Sequence, residues 1–174
     1  RAGHRSAVLV PLLFTAAYHG RVDIPAALDA ARAGGLDLDV AVADVLGPVD
    51  GVVPPELLDA LSHRLAGSFD GLVLAAAGTR DASARETVTQ VAGELGARFG
   101  VPCVPAYATA AGPRPGEAVS LLRAAGCSRV AMSAYFLAPG RLYDEAAASS
   151  WAAGAVAVAD PLGAEPALAR LVRR

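Results

Sequence analysis

An apolar segment near the start of the chain, followed by a loop and a helix, constrains the fold more than any other feature. Residues 8–14 (Val-Leu-Val-Pro-Leu-Leu-Phe) are continuously apolar over the length of one strand. This pattern is typical of a strand buried on both faces of a parallel sheet, with helices covering both sides. Asp23 and Pro25 then precede an Ala- and Leu-rich segment, so we expect Asp23 to cap a helix whose first turn contains Pro25. The segment therefore predicts an α/β fold.

His19 lies just after the carboxyl end of this predicted strand. In open α/β sheets, ligands bind outside the carboxyl ends of the strands, in the loops that lead to the helices. His19 is therefore a candidate site residue, and the alternative is a solvent-exposed loop histidine. The other two histidines, His4 and His63, are expected on the surface.

Composition and charge exclude several classes of function. The net charge of −2 and the pI near 5.9 provide no positive field for nucleic acid. Gly, Pro or charged residues interrupt every apolar run, so no membrane span is predicted. No loop has the glycine pattern of a dinucleotide or phosphate site, and no organic cofactor is evident. Cys103 and Cys127 lack metal-ligand spacing and are expected to be buried thiols, and without a visible signal peptide the cytoplasm is the expected compartment.

Strand and helix patterns alternate along the whole chain. We predict helices at residues 25–34, 54–65, 82–99 and 113–125, with a last helix ending at 171, and further strands at 38–45, 71–76, 101–107, 128–137 and 156–159. The strand at 128–137 and its following loop repeat the opening segment. In that register Leu142 takes the place of His19, and a shift of one residue places Arg141 there. The repeat therefore predicts two related halves, of which only the first has a histidine at this position.

Three motifs of the opening segment resemble the sirohydrochlorin chelatases. Residues 11–14 (Pro-Leu-Leu-Phe), 18–19 (Tyr-His) and 23–25 (Asp-Ile-Pro) match that family in order and spacing. In the second half, residues 77–81 (Ala-Gly-Thr-Arg-Asp) occupy the place of the family's His-Gly-Ser-Arg loop, with Ala77 in the histidine position. The resemblance implies two flavodoxin-like, chelatase-type units with parallel sheets flanked by helices.

The same resemblance implies how these units divide the chain. Residues 1–67 correspond to the carboxyl-terminal part of a first unit, which is incomplete here, and residues 68–174 to a second unit with a degenerate site. The first two strands of the first unit, and a second active-site histidine, are expected upstream of Arg1.

The implied function is insertion of a divalent metal, Fe²⁺ or Co²⁺, into sirohydrochlorin or a related tetrapyrrole. Such an enzyme is a lyase of the chelatase type in siroheme or cobalamin biosynthesis, with the metal as a substrate and a homodimer as the candidate assembly. His19 corresponds to the catalytic and metal-binding histidine, and Tyr18 and Arg21 to substrate-binding residues. A solvated loop arginine is the alternative for Arg21. The alternative function is a non-catalytic tetrapyrrole- or metal-binding protein that keeps the chelatase fold.

Overall fold

The computed structural model describes residues 3–16 and 19–174, and of His19 and Arg21 it describes the backbone only. Strands and helices alternate in the order β1 (Ser6–Leu9), α1 (Ile24–Ala33), β2 (Asp39–Val42), α2 (Pro55–His63), β3 (Gly71–Ala76), α3 (Ala82–Phe99), β4 (Cys103–Tyr107), α4 (Pro115–Ala124), β5 (Val130–Tyr135), α5 (Arg141–Ala152), β6 (Ala157–Val158) and α6 (Pro166–Val172). A π-helical turn, His19–Asp23, leads directly into α1.

The larger sheet has four parallel strands in the order β4-β3-β5-β6, and every residue of its central strands β3 and β5 is buried. Successive residues of a strand face opposite layers. Leu72 and Leu74 pack with α2, α3 and α6, whereas Val73 and Met132 pack with α4 and α5. Each fully buried leucine stabilises the fold by roughly 2 kcal/mol. The predicted α/β class, with helices on both faces of a parallel sheet, is thus confirmed.

Helix α2 joins the early part of the chain to the larger sheet. Its apolar face, formed by Leu57, Ala60 and Leu61, is fully buried in the same cluster as β3, α3 and α6. At the end of α2, the Arg64 Nε lies 2.7 Å from Glu165 Oε1, and His63 Nδ1 lies 2.9 Å from the other oxygen. Although α2 precedes residue 68 in the sequence, it therefore packs with the second sheet, and the boundary between residues 67 and 68 stays a prediction.

The first sheet differs from the sequence expectation. The segment 8–14 was predicted as a strand buried on both faces, but β1 ends at Leu9 and Val8 is 66% exposed. β1 pairs only with β2 among the described residues, in parallel register, and α1 buries none of its residues. An apolar run becomes a buried strand only where strands and helices cover it, and these neighbours are not supplied by the described residues. The prediction of burial at 8–14 is therefore wrong for the structure.

The start of α3 has a side-chain cap, whereas the cap predicted at Asp23 is not formed. Asp81 accepts hydrogen bonds from the backbone amides of Ser83, at 2.9 Å, and Ala84, at 3.3 Å, at the start of α3. Asp23 occupies the N-cap position of α1 but makes no side-chain capping bond. Its backbone is already helical, with φ −70° and ψ −41°, because the π-helical turn continues into α1, whereas a capping residue is normally extended.

Candidate active site

A cavity of about 460 Å³ lies at the carboxyl ends of the strands, between the loop after β1 and the larger sheet. The loop after β1 contributes residues 12–15, the loop after β3 contributes residues 76–79, and the end of β5 contributes residues 135–137. Val88, Tyr107 and Leu142 complete the lining.

This position follows from the strand order. From β3 the chain goes to β4 on one side, and it then crosses back to β5 on the other side of β3. The loops after β3 and β5 therefore diverge, which leaves a crevice where flavodoxin-like sheets bind ligands.

The loop after β3 is held by backbone contacts with the loop after β4. Thr109 donates two hydrogen bonds to the Ala77 carbonyl oxygen, one from its amide at 2.9 Å and one from its hydroxyl at 2.8 Å. Gly78 has φ +103°, and a Cβ atom there would overlap the Thr109 carbonyl oxygen, so only glycine fits. Arg85 donates to the carbonyl oxygens of Thr79 and Arg80 at 3.1 and 2.8 Å. The loop is therefore fixed with Ala77 against the cavity.

The loop after β1 is held from the opposite side by an aromatic contact. The ring of Phe14 stacks on that of Tyr135, with 4.6 Å between centroids and 25° between planes. The Tyr135 hydroxyl also donates to the Phe14 carbonyl oxygen at 3.3 Å. The cavity is therefore bounded by residues from both parts of the chain.

The cavity walls are mainly apolar, with the hydroxyl side chains of Thr15 and Thr79 among them, and none of the described residues that line the cavity is charged. Burial raises the pKa of the Tyr135 hydroxyl, and burial is also the largest cause of the raised pKa of Tyr107. Both phenols are therefore neutral at pH 7. Aromatic rings and aliphatic side chains in such a wall suit a large planar ligand, which can pack against them without desolvating a charge.

Several predicted site residues lie outside the described part of the structure. Tyr18 is not described, and the side chains of His19 and Arg21 are not described. The backbone of His19 begins the π-helical turn, whose Gly20 borders a second cavity of about 400 Å³ at the end of β2. The roles assigned to Tyr18, His19 and Arg21 stay predictions.

Two positions of the second half that the sequence analysis aligned with histidines lie at the same cavity. Ala77 and Leu142 both line the 460 Å³ cavity. Within residues 3–16 and 19–174, no three His, Cys, Asp or Glu side chains that the structure describes are grouped so as to hold a metal.

Sequence reasoning missed the aromatic members of the site, Phe14, Tyr107 and Tyr135. Tyr107 and Tyr135 are the last residues of β4 and β5, which is the one signal in the sequence that marks them.

Comparison with known proteins identifies the family. A model of the CbiX family matches residues 1–66 and 71–174. The chain belongs to the CbiX family. This family is sirohydrochlorin chelatase-like, so the resemblance seen in the opening segment is confirmed. A search of curated proteins found no match.

Solved structures share the fold. SirB from Bacillus subtilis with Fe³⁺ has a TM-score of 0.80 and 23% identity, over 98% of this chain and 69% of its own. Sirohydrochlorin chelatase SirB from B. subtilis subspecies spizizenii, in complex with cobalt, has a TM-score of 0.77 and 20% identity over 98% and 68%. DR2241 from Deinococcus radiodurans, a multi-domain protein with structural similarity to chelatases, has a TM-score of 0.69 and 18% identity over 98% and 40%. Among the described residues, no helix has the length and apolar character to cross a membrane.

Proposed function

We propose that the protein inserts a divalent metal ion, Fe²⁺ or Co²⁺, into sirohydrochlorin or a related tetrapyrrole. The observation that carries this proposal is the apolar, aromatic-lined cavity at the carboxyl ends of the strands in a member of the CbiX family. A tetrapyrrole has a flat, largely apolar ring system with carboxylates at its rim. Its ring can pack in this cavity while the carboxylates remain at the solvent-facing edge.

Metal insertion into a tetrapyrrole requires two functions of the protein. The metal must be presented to the pyrrole nitrogens with exchangeable ligands, and two pyrrole protons must leave as the metal–nitrogen bonds form. A neutral imidazole suits both tasks, because it ligates Fe²⁺ or Co²⁺ and titrates near neutral pH. We assign to His19, which begins the turn after the β1 loop, the presentation of the metal and the acceptance of one pyrrole proton by the nitrogen that the metal has left, and the second proton passes to water.

The substrate carboxylates need cationic or hydrogen-bonding partners near the same turn. A guanidinium can bind a carboxylate through two parallel hydrogen bonds, and a phenol can donate one. We assign these roles to Arg21 and Tyr18. The expected setting is a cytoplasmic enzyme of siroheme or cobalamin biosynthesis, with a homodimer as the candidate assembly.

The test is metal insertion into sirohydrochlorin, followed by the change in visible absorption with each metal. We predict that His19→Ala abolishes insertion, because the ligand and proton acceptor are lost together, and that its far-ultraviolet circular dichroism is unchanged. His4→Ala, at an exposed position, is the matched control and is expected to retain activity. Unchanged rates in His19→Ala would remove His19 from the mechanism.

A second candidate is a non-catalytic tetrapyrrole-binding or metal-binding protein. The observation in its favour is that Ala77 and Leu142, which carry no ligating side-chain atom, both line the cavity. The same assay separates the two functions. A wild-type protein that binds metal-free sirohydrochlorin, but does not accelerate insertion of Fe²⁺, Co²⁺ or Ni²⁺, would be the binding protein.

A further inference from the structure

The contact between Phe14 and Tyr135 joins two parts of the chain that are 121 residues apart. It has two components, because the rings stack at 4.6 Å and the hydroxyl donates to the Phe14 backbone carbonyl at 3.3 Å. Tyr135 is only 4% exposed, so its hydroxyl is removed from bulk water. A buried hydroxyl is costly without a partner, and the Phe14 carbonyl satisfies it.

Gly47 supports the same backbone group from another side. A Cβ atom at Gly47 would overlap the Phe14 carbonyl oxygen and would lie 3.0 Å from the Tyr135 hydroxyl oxygen. The preceding Leu46 amide donates to the Leu13 carbonyl oxygen at 2.7 Å. The backbone at residues 13–14 is thus held between the loop after β2 and the end of β5.

Phe14, the residue held by these contacts, lies close in sequence to the proposed metal ligand, His19. Phe14 precedes His19 by five residues, and Leu12 and Ala16 on either side of it are exposed. Within the turn, a Cβ atom at Gly20 would lie 3.8 Å from Leu13 Cδ1 and 3.9 Å from Val45 Cγ1. The turn that begins at His19 therefore packs against the backbone segment that Phe14 attaches to β5.

We propose that Tyr135 is a positioning residue for the metal step: through its hydroxyl and ring it fixes Phe14, and through Phe14 the turn that carries His19. The inference rests on the proposed function, since it takes His19 as the metal ligand. It gives the second half of the chain a role in metal delivery although its own loops present Ala77 and Leu142. A metal ligand must be held within a fraction of an ångström of its productive position, and this precision comes from surrounding contacts.

The test separates the two components of the contact. Tyr135→Phe keeps the ring stack and removes the hydroxyl, and Phe14→Leu keeps the carbonyl and removes the stack. Tyr143→Phe is the matched control, because the Tyr143 hydroxyl donates to the Ala159 carbonyl oxygen at 3.1 Å and its ring contacts Phe136 edge to face. It therefore loses the same kind of bond outside the cavity lining.

Two readouts are needed. The chain has three histidines, so the imidazole nitrogen signals of ¹⁵N-histidine-labelled protein can be assigned with His19→Ala and followed as Co²⁺ is added. We expect the Co²⁺ concentration that half-saturates the His19 signal to rise about fivefold in Tyr135→Phe, the equivalent of one lost hydrogen bond, and not in Tyr143→Phe. In the insertion assay, kcat should fall in Tyr135→Phe while the KM for the tetrapyrrole changes less than about twofold.

The outcomes are distinguishable. If the His19 signal responds to Co²⁺ at the same concentration in the wild type and in Tyr135→Phe, Tyr135 does not position His19. The assignment of His19 as the metal ligand is then retained. If the wild-type His19 signal does not respond, the ligand assignment itself is wrong, and this inference with it. Circular dichroism and thermal melting of each variant identify global unfolding, and Phe14→Leu then provides the second, independent measurement.

Discussion

Asp70 is a single carboxylate that holds the starts of two central strands together. It directly precedes β3, and it accepts hydrogen bonds from the Ser128 amide at 2.9 Å, the Ser128 hydroxyl at 2.7 Å and the Arg129 amide at 2.8 Å, just before β5. These bonds, the one from Arg129 foremost, lower the pKa of Asp70 because they favour its charged form. The residue therefore links the stability of the fold to pH.

We predict that Asp70→Asn lowers the Tm at pH 7 and makes the Tm less dependent on pH in the acidic range. With a folded pKa below the unfolded value of about 3.9, the carboxylate contributes its full stabilisation above that value. The contribution is lost as the pH falls through the folded pKa. Thermal melts at pH 7, 5 and 3 should show the wild-type and variant Tm values converging at the lowest pH.

Asp29→Asn is the control for this measurement, because Asp29 lies exposed on α1 with only a 3.4 Å contact to Arg32. It should track the wild type at every pH. A Tm difference between Asp70→Asn and wild type that stays constant from pH 7 to pH 3 would contradict the linkage.

Prediction at the residue scale succeeded where the chemistry was local. The cap at Asp81 depends on amides two and three residues away, and the local sequence indicates Asp81 or Ser83 as the capping residue, of which the structure shows Asp81. The stack of Phe14 on Tyr135 depends on two segments that meet only in the folded chain, so no local pattern predicts it. Asp23 has the right residue type for a cap, but the π-helical turn before it changes its backbone.

At the scale of strands and helices, apolar runs of similar composition differ in how deeply they are buried. β3 and β5, which the sequence predicts as strands, have strands on both sides and helices on both faces, and they are completely buried. β1 comes from a run that is equally apolar, yet Val8 is 66% exposed and Val42 on its partner β2 is 46% exposed. Composition alone predicts that a segment can be a buried strand, whereas burial itself depends on the neighbours that the described chain supplies.

We predict that backbone amides of β1 and β2 exchange with solvent much faster than those of β3 and β5. In the described part of the chain the first sheet has two strands with no buried residue, and such a sheet opens locally at small free-energy cost, whereas the central strands open only with most of the fold. Hydrogen exchange followed by mass spectrometry should separate peptides covering residues 6–9 and 39–42 from those covering 71–76 and 130–135 by at least about tenfold in rate.

Equal protection of the two sheets would contradict this expectation and would mean that the first sheet is covered in solution. Repeating the measurement over a range of protein concentrations provides the control. Protection of β1 and β2 that rises with concentration would identify a second copy of the chain as the cover.

At the scale of the whole molecule, the two parts of the chain share one site. The loop after β1 and the loops after β3 and β5 line the same cavity, and α2 fixes the early part of the chain to the second sheet. The location of this site could be predicted, since strand ends of a parallel sheet meet at one edge. Its aromatic wall could not, because it is assembled from the ends of β4 and β5 and from the loop after β1.

The first and second parts of the chain differ in the side chains that they offer to a metal. The last prediction concerns where a metal binds. In the second part, the loops at the cavity present Ala77 and Leu142, without ligating side-chain atoms, and the adjacent Arg80 and Arg141 are cations that disfavour Co²⁺. In the first part, His19 offers one imidazole. One protein ligand with water gives weak binding, because a mononuclear site normally uses three or four donors.

We therefore expect crystals soaked in Co²⁺ to show an anomalous peak of partial occupancy within bonding distance of His19, and none beside residues 77–80 or 141–143. Crystals of His19→Ala, soaked identically, are the control and should lose the peak, because the imidazole is the ligand on which occupancy depends. A strong peak beside residues 77–80 with none at His19 would reverse the assignment. It would place metal binding in the second half of the chain and make the β1 loop the substrate-holding side of the cavity.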